Sequence, residues 1–249
     1  MNGDVTREHY DRLAATYDEN WAYSPAFVEW MTGCILRRLD IGSGDVVADI
    51  GCGTGLYSRG LAERAAAVVC VDASRAMLAQ IPAGDRLLPV PAAVEDVAAG
   101  RAVLPRGRFD AMLLKEVLHH VEDRAGVVAG LTRLLTPGGR MLVVMLPARI
   151  GYPLFAEALA LFAARQPDPD GIAAAMRAAG LAAEVSYESF PLVFPAERYL
   201  GMVRGRYMSL LSHFSDERLE AGIEEIRHAH PGEEIAFTET FAFVLGTAS

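Results

Sequence analysis

The feature that most constrains this chain is an apolar run at residues 46–50, VVADI, which leads directly into glycines at 51, 53 and 55. Five residues rich in β-branched side chains, bounded by turn residues, read as a buried strand. The glycines then leave alternate positions without side chains. A ligand can approach bare backbone there and meet the N–H groups that open a following helix. A second apolar run at 67–71 ends in Asp72. Strand, turn, helix and strand in this order point to a parallel pair joined by a helical crossover, and so to an α/β sheet.

The rest of the sequence extends the alternation. Residues 4–18 and 24–39 read as helices, the second with apolar Phe27, Trp30, Met31, Cys34, Ile35 and Leu39 at helical spacing. Residues 41–45 form a turn, and a helix runs from the glycine turn to about 64. Residues 74–80 form another helix with Ser74 as N-cap. A strand at 87–94 is interrupted by Pro89 and Pro91, and 109–114 is a firmer strand. An amphipathic helix at 124–135 is closed by Pro137-Gly138-Gly139 before a strand at 140–145. This pattern predicts a parallel sheet with helices on both faces.

Beyond Pro147 the expected elements are a helix at 152–165, a loop at 167–170, a short helix at 171–179 and a strand at 182–193. Helices at 196–211 and 216–228 and a final strand at 234–245 follow. The reading is one domain over 1–249, with N-terminal cap helices at 1–39 and a core at about 40–147 and 180–249. The stretch of about 148–215 is a lid or substrate region, or else ordinary sheet-covering structure.

Composition narrows the classes. With 249 residues, 52% hydrophobic and 22% charged, the chain can bury a sizeable core. A formal net charge of −9 disfavours nucleic acid, since polyphosphate binding calls for clustered Lys and Arg. Three cysteines, Cys34, Cys52 and Cys70, include no CxxC pair, so neither disulfides nor a metal site is expected, and a reducing cytoplasm fits. The polar start does not resemble a signal peptide, and the apolar stretch 141–164 is broken by Arg149 and two prolines, so no membrane span is expected. There is no HExxH motif and no GxSxG elbow. An alanine-rich, arginine-preferring composition suits a high-GC bacterium and, with it, specialised metabolism.

Details of the glycine turn sharpen its chemistry. Asp49 stands two residues before Gly51, where a carboxylate suits an ammonium group and is awkward for a pyrophosphate. The spacing is GxGxG, not the GxGxxG of the nicotinamide fingerprint. Asp72, seventeen residues beyond Gly55, can accept from both hydroxyls of a ribose. The segments DIGCGTG and VVCVDAS resemble the class I S-adenosylmethionine (SAM)-dependent methyltransferase family, over about residues 10–147.

The resemblance implies a Rossmann-like, doubly wound seven-stranded sheet whose last strand is antiparallel, with a helical lid or insertion after strand 5. It implies SAM as cofactor and methyl transfer to the O, C or N atom of a small organic acceptor. Asp49, Gly51, Gly53 and Gly55 would form the turn beside the methionine moiety, and Cys52 would make a backbone contact. Asp72 would hold the ribose, with Ala73 and Met77 flanking the adenine. The family's frequent Gly-Asp pair is Ala92-Ala93 here, so in the segment around Val94 the acidic contact comes from Glu95 or Asp96 or is absent. Lys115 and Glu116 would line the cleft, and Tyr10 and Tyr17 would close over the cofactor.

Methyl transfer is an in-line displacement with a neutral leaving group, so alignment matters most and a general base helps only where the nucleophile holds its proton tightly. The base candidates are His120 and His119, just past the fourth strand. Either imidazole could equally pack or cap backbone. Arg149, Tyr152, Tyr207 and His213 are candidates for holding the acceptor, as are Arg204 and Arg206, with a solvated helix face the plainer reading of the last four. A homodimer is left open. Two other functions are carried: a SAM-binding enzyme that performs a rearrangement or cyclisation, and an NAD-dependent oxidoreductase.

Overall fold

In a computed structural model the structure describes residues 24–249. The expected helix at 4–18, Tyr10, Tyr17 and Trp21 lie outside the described residues. Helix α1 (Pro25–Leu39) opens at Ser24, whose hydroxyl accepts the Phe27 N–H at 3.2 Å, with Pro25 in the first turn where no N–H is needed. It buries Phe27, Met31, Cys34, Ile35 and Leu39, and Asp40 ends it in the left-handed region.

The sheet runs in the order β3-β2-β1-β4-β5-β7-β6. Its strands are β1 (Val46–Ile50), β2 (Ala67–Asp72), β3 (Leu87–Pro91), β4 (Phe109–Lys115), β5 (Leu135–Met145), β6 (Ala182–Pro195) and β7 (Glu234–Thr247). β1 pairs in parallel with β2 and β4, β2 with β3, and β4 with β5; β7 pairs antiparallel with β5. The expected seven strands and antiparallel last strand are both present. The order reverses at β1 and β4, whose carboxyl ends therefore flank the crevice in which open α/β sheets bind ligands.

Between the strands lie α2 (Ser58–Ala62), α3 (Arg75–Leu78), α4 (Val94–Ala98) and α5 (Arg124–Thr132). After β5 come α6 (Ala156–Arg165), α7 (Pro169–Ala178), α8 (Ala196–Arg204) and α9 (Asp216–Ala229). Alternate residues of the central strands, among them Ile50, Val71, Leu114 and Val143, share one buried cluster with Val97 of α4, Val128 of α5 and Met176 of α7. Gly130 lets α5 lie against α4, because a β-carbon there would sit 2.3 Å from the Ala98 carbonyl oxygen.

Several expected boundaries are corrected. The helix after the glycine turn is only Ser58–Ala62. Pro89 and Pro91 do not interrupt β3, because at the sheet's edge one side of the strand needs no ladder donors. Pro137-Gly138-Gly139 does not close a helix; it lies within β5, where the register against β4 slips between Phe109 and Ala111. Pro153 keeps the chain from turning helical at 152, and α6 begins at Ala156. Asp168 and Pro169 do not form a loop but start α7, Asp168 as its N-cap. Arg206, at φ 57°, breaks the expected helix at 196–211.

The chain divides into two compact units. Among the described residues the first holds 24–145, 168–186 and 242–249; the second holds 146–167 and 187–241. The segment 168–186 thus falls outside the second unit, against the expected region of 148–215, because Ile172, Ala173 and Met176 bury themselves in the sheet cluster. Within the second unit Phe155 packs edge-on to Phe214, and α9 places Gly222 against the Phe155 ring. Ion pairs tie its surface: Arg204 with Glu220 at 2.7 Å, Arg218 with Glu157 at 2.8 Å and Arg227 with Glu197 at 2.6 Å. Among the described residues no helix is long and apolar enough to cross a membrane.

Candidate functional site

The glycine turn hangs from β2. The N–H groups of Gly51 and Cys52 both donate to the Val71 carbonyl, at 2.7 and 3.0 Å. Gly51, Gly53 and Gly55 all have positive φ, at 72°, 57° and 74°, which L side chains rarely adopt. At Gly51 there is a second reason for glycine, since a β-carbon would lie 2.4 Å from Val117 Cγ2. The turn is therefore fixed from two sides, by the end of β2 and by the chain leaving β4.

Two carboxylates flank it. Asp49, on the last turn of β1, is 3% exposed, and its Oδ2 accepts the Ser58 hydroxyl at 2.5 Å. Its pKa is raised to about 6, chiefly by burial and further by the charge of Asp72, against the Ser58 bond and the Lys115 charge, which lower it. Asp72 accepts the Gly53 N–H at 2.9 Å on one oxygen and the Ser74 N–H at 2.8 Å on the other. These two bonds orient the side chain before any ligand arrives. The Cys52 thiol is pushed up by its hydrogen bond with Cys70, by burial and by both aspartates.

Beyond Asp72, Ala73 is exposed, while Met77 is buried in α3 under its Ser74 cap. At the β3–α4 corner Ala92 donates its N–H to the Asp72 carbonyl at 3.0 Å. Val94 is half-buried and Glu95 exposed. Asp96 is engaged by Arg101 at 2.7 Å.

The exit of β4 brings the remaining groups together. Lys115 Nζ lies 5.0 Å from the centroid of the Tyr57 ring. Glu116 donates its N–H to Val144 at 2.9 Å and sits at φ 56°, a strained value for a side chain of its size. Leu118–His120 form one turn of 3-10 helix, pinned where Arg124 Nε donates to the Leu118 carbonyl at 2.9 Å. His119 Nδ1 is 3.7 Å from Glu116 Oε2, and the rings of His119 and His120 are 3.9 Å apart. Burial holds the His119 pKa well below 6.5, with help from His120, Arg124 and Lys115, so this imidazole is neutral at pH 7.

This geometry has counterparts. Residues 48–143 match the model of a methyltransferase domain. Over that segment the chain is similar to class I SAM-dependent methyltransferases, and its seven-stranded sheet has the same fold as solved structures of that kind. Among curated relatives it is 29% identical over 155 residues to a ubiquinone biosynthesis O-methyltransferase of Xanthomonas oryzae, a match covering 56% of this chain and 61% of that protein. Among solved structures it resembles a putative methyltransferase from an antibiotic biosynthesis pathway of Anabaena variabilis. There the TM-score is 0.64 at 19% identity, covering 86% of this chain and 96% of that one. It also resembles phosphoethanolamine N-methyltransferase 2 of Haemonchus contortus in complex with SAM. There the TM-score is 0.59 at 20% identity, covering 97% of this chain and 59% of that one.

The structure brings together Asp49, Gly51, Cys52, Gly53, Gly55 and Asp72, and, at the β4 exit, Lys115, Glu116, His119 and His120. Four of the candidate residues belong to the second unit. Tyr152 and Tyr207 are inside it: the Tyr152 hydroxyl donates to the buried Glu239, and the Tyr207 hydroxyl is 3.4 Å from that of Tyr199. His213 is exposed, 2.5 Å from Arg165 Nη1, and Arg149 is exposed. Arg206 is taken up by the Phe214 carbonyl at 2.9 Å and by Asp216 at 2.6 Å. The sequence reading passed over Ser58, Tyr57 and Val117. Their signal was weak, because a serine that props a buried aspartate nine residues earlier looks like any residue of a helix start.

Proposed function

We propose that this methyltransferase moves a methyl group from SAM to an oxygen of a small organic acceptor. The observation that carries the reading is the pair of carboxylates, Asp49 and Asp72, placed on either side of a turn without β-carbons. Each raises the cost of the other's charge, and burial adds to it at Asp49. A cationic ligand offsets that cost, whereas a pyrophosphate adds to it. The chain's GxGxG spacing also departs from the dinucleotide fingerprint, so an NAD-dependent oxidoreductase is not favoured.

SAM supplies an electrophilic methyl whose departure needs no acid. The chain's residues bind and align. Asp72, already oriented by two backbone N–H groups, accepts from the ribose hydroxyls. Asp49 and the backbone of Gly51, Cys52, Gly53 and Gly55 hold the amino-acid tail. Ala73, Met77, Val94 and Glu95 frame the base, and Lys115 and Glu116 line the reacting end. Arg149 and His213, both exposed, remain candidates for holding the acceptor.

Oxygen is chosen as the accepting atom because curated relatives from Xanthomonas oryzae, Azotobacter vinelandii and Vibrio parahaemolyticus are named O-methyltransferases. A net charge of −9 supports a small acceptor rather than a nucleic acid. The test is release of S-adenosylhomocysteine when the full chain is incubated with SAM and a panel of small phenols and enols. Acceptor-dependent release is expected. Tight SAM binding with no release across oxygen, nitrogen and carbon acceptors would move the protein to the non-methylating class.

A further inference from the structure

Glu116 combines two observations that the cofactor turn does not explain. Its backbone occupies the left-handed region at φ 56°, where glycine would sit without strain. Its carboxylate faces the imidazole three residues on, with Oε2 3.7 Å from His119 Nδ1. Both side chains are largely enclosed, at 18% and 20% exposure. His119 Nδ1 is buried and has no hydrogen-bond partner among the described residues. The separation exceeds a hydrogen bond, as catalytic pairs often do before substrate arrives.

We propose that Glu116 is a positioning residue: its carboxylate accepts the His119 Nδ1–H, fixing the tautomer in which Nε2 offers its lone pair to the acceptor hydroxyl. The proposal rests on the methyl-transfer reading. In the step it serves, an oxygen lone pair of the acceptor forms the new O–C bond while the S–C bond breaks and its electron pair stays on sulfur. The hydroxyl proton passes to Nε2 and is later given to water.

The surroundings also name the acceptor class. Besides Glu116, the groups facing His119 are the His120 ring and the cations Lys115 and Arg124. The cations oppose a charged imidazolium, so His119 is a weak base. It suits an acidic hydroxyl, a phenol or an enol, rather than an alkyl alcohol. Of the chain's 23 basic Lys and Arg residues only Lys115 is a lysine, and it stands beside this pair, where its ammonium favours a developing phenolate.

The test begins on the full chain without ligand. Imidazole 15N shifts of His119 at pH 7.5 report its tautomer, with the signal assigned through His119→Asn. Protonation at Nδ1 is expected in the wild type and in Glu116→Gln, which keeps an acceptor, and a change toward Nε2 protonation is expected in Glu116→Leu. With a phenolic acceptor, kcat should fall about 100-fold or more in His119→Asn and fall clearly in Glu116→Leu. Affinity for S-adenosylhomocysteine should stay near wild type in His119→Asn. An Nε2-protonated wild type, or a Glu116→Leu variant with unchanged tautomer and rate, would overturn the proposal. Failure of the wild type to bind S-adenosylhomocysteine would strike the methyl-transfer reading instead, and the ligand-free tautomer measurement tells the two apart.

Discussion

At the scale of single residues, Asp49 shows a conflict between stability and ligand binding. The folded carboxyl keeps its proton up to about pH 6, whereas the ordinary value is 3.8. Between those values the folded state binds more protons than the unfolded one, so stability declines as pH rises through that window. Above it the buried charge costs on the order of 2–3 kcal/mol. Asp49→Asn should therefore raise the Tm of the ligand-free protein at pH 7.5, with the gain vanishing below about pH 4, as scanning calorimetry at the two pH values would record. The same change should weaken SAM binding. In the wild type that binding should weaken as pH falls through about 6. Equal Tm values at pH 7.5 would show that Asp49 carries no such cost.

Residues of this kind mark where the sequence was legible. Asp49 and Asp72 stood out because each sits at a fixed step from a glycine or a strand end, and the carboxyl ends of adjacent parallel strands lie side by side. The Glu116–His119 pair is different. Three residues apart can be near or far, and only the positive φ and the 3-10 turn bring these side chains to 3.7 Å. The acceptor candidates Tyr152 and Tyr207 were chosen for residue type and position, which say nothing of whether an aromatic ring faces a cavity or fills a core; both are fully packed.

At the scale of elements, the turn after β1 and the exit of β4 form one packed contact. Gly51→Ala forces a side chain onto positive φ and into Val117. The expected loss is about 1–3 kcal/mol. Val117→Ala added to Gly51→Ala should recover the steric part but not the conformational part, and denaturant titration of both variants measures the difference. A double variant no more stable than Gly51→Ala would mean that Val117 does not press on the turn. Strand positions were readable because apolar β-branched runs admit few alternatives. The misplaced ends lay at Pro89, Pro137 and Pro169. Proline's meaning depends on whether it falls at an edge, in a bulge or at a helix start, and that is a tertiary property.

At the scale of the whole molecule, the strand order places β1 and β4 side by side with the reversal between them, and the proposed contacts of Asp49, Gly51, Lys115 and Glu116 lie at the carboxyl ends of those two strands. Ligand binding at such a place should stabilise the fold as a unit. At 100 times its Kd a ligand adds about 2.7 kcal/mol, worth several degrees of Tm for a chain of this size. The most direct measurement is calorimetric titration of the full chain with S-adenosylhomocysteine and, separately, with NAD. One site that takes up S-adenosylhomocysteine and not NAD, with affinity cut sharply by Asp72→Ala, is the expected result. Tighter uptake of NAD, or an unchanged affinity in Asp72→Ala, would contradict the central claim that paired carboxylates around a bare glycine turn select a nucleoside carrying an ammonium group over one carrying a pyrophosphate.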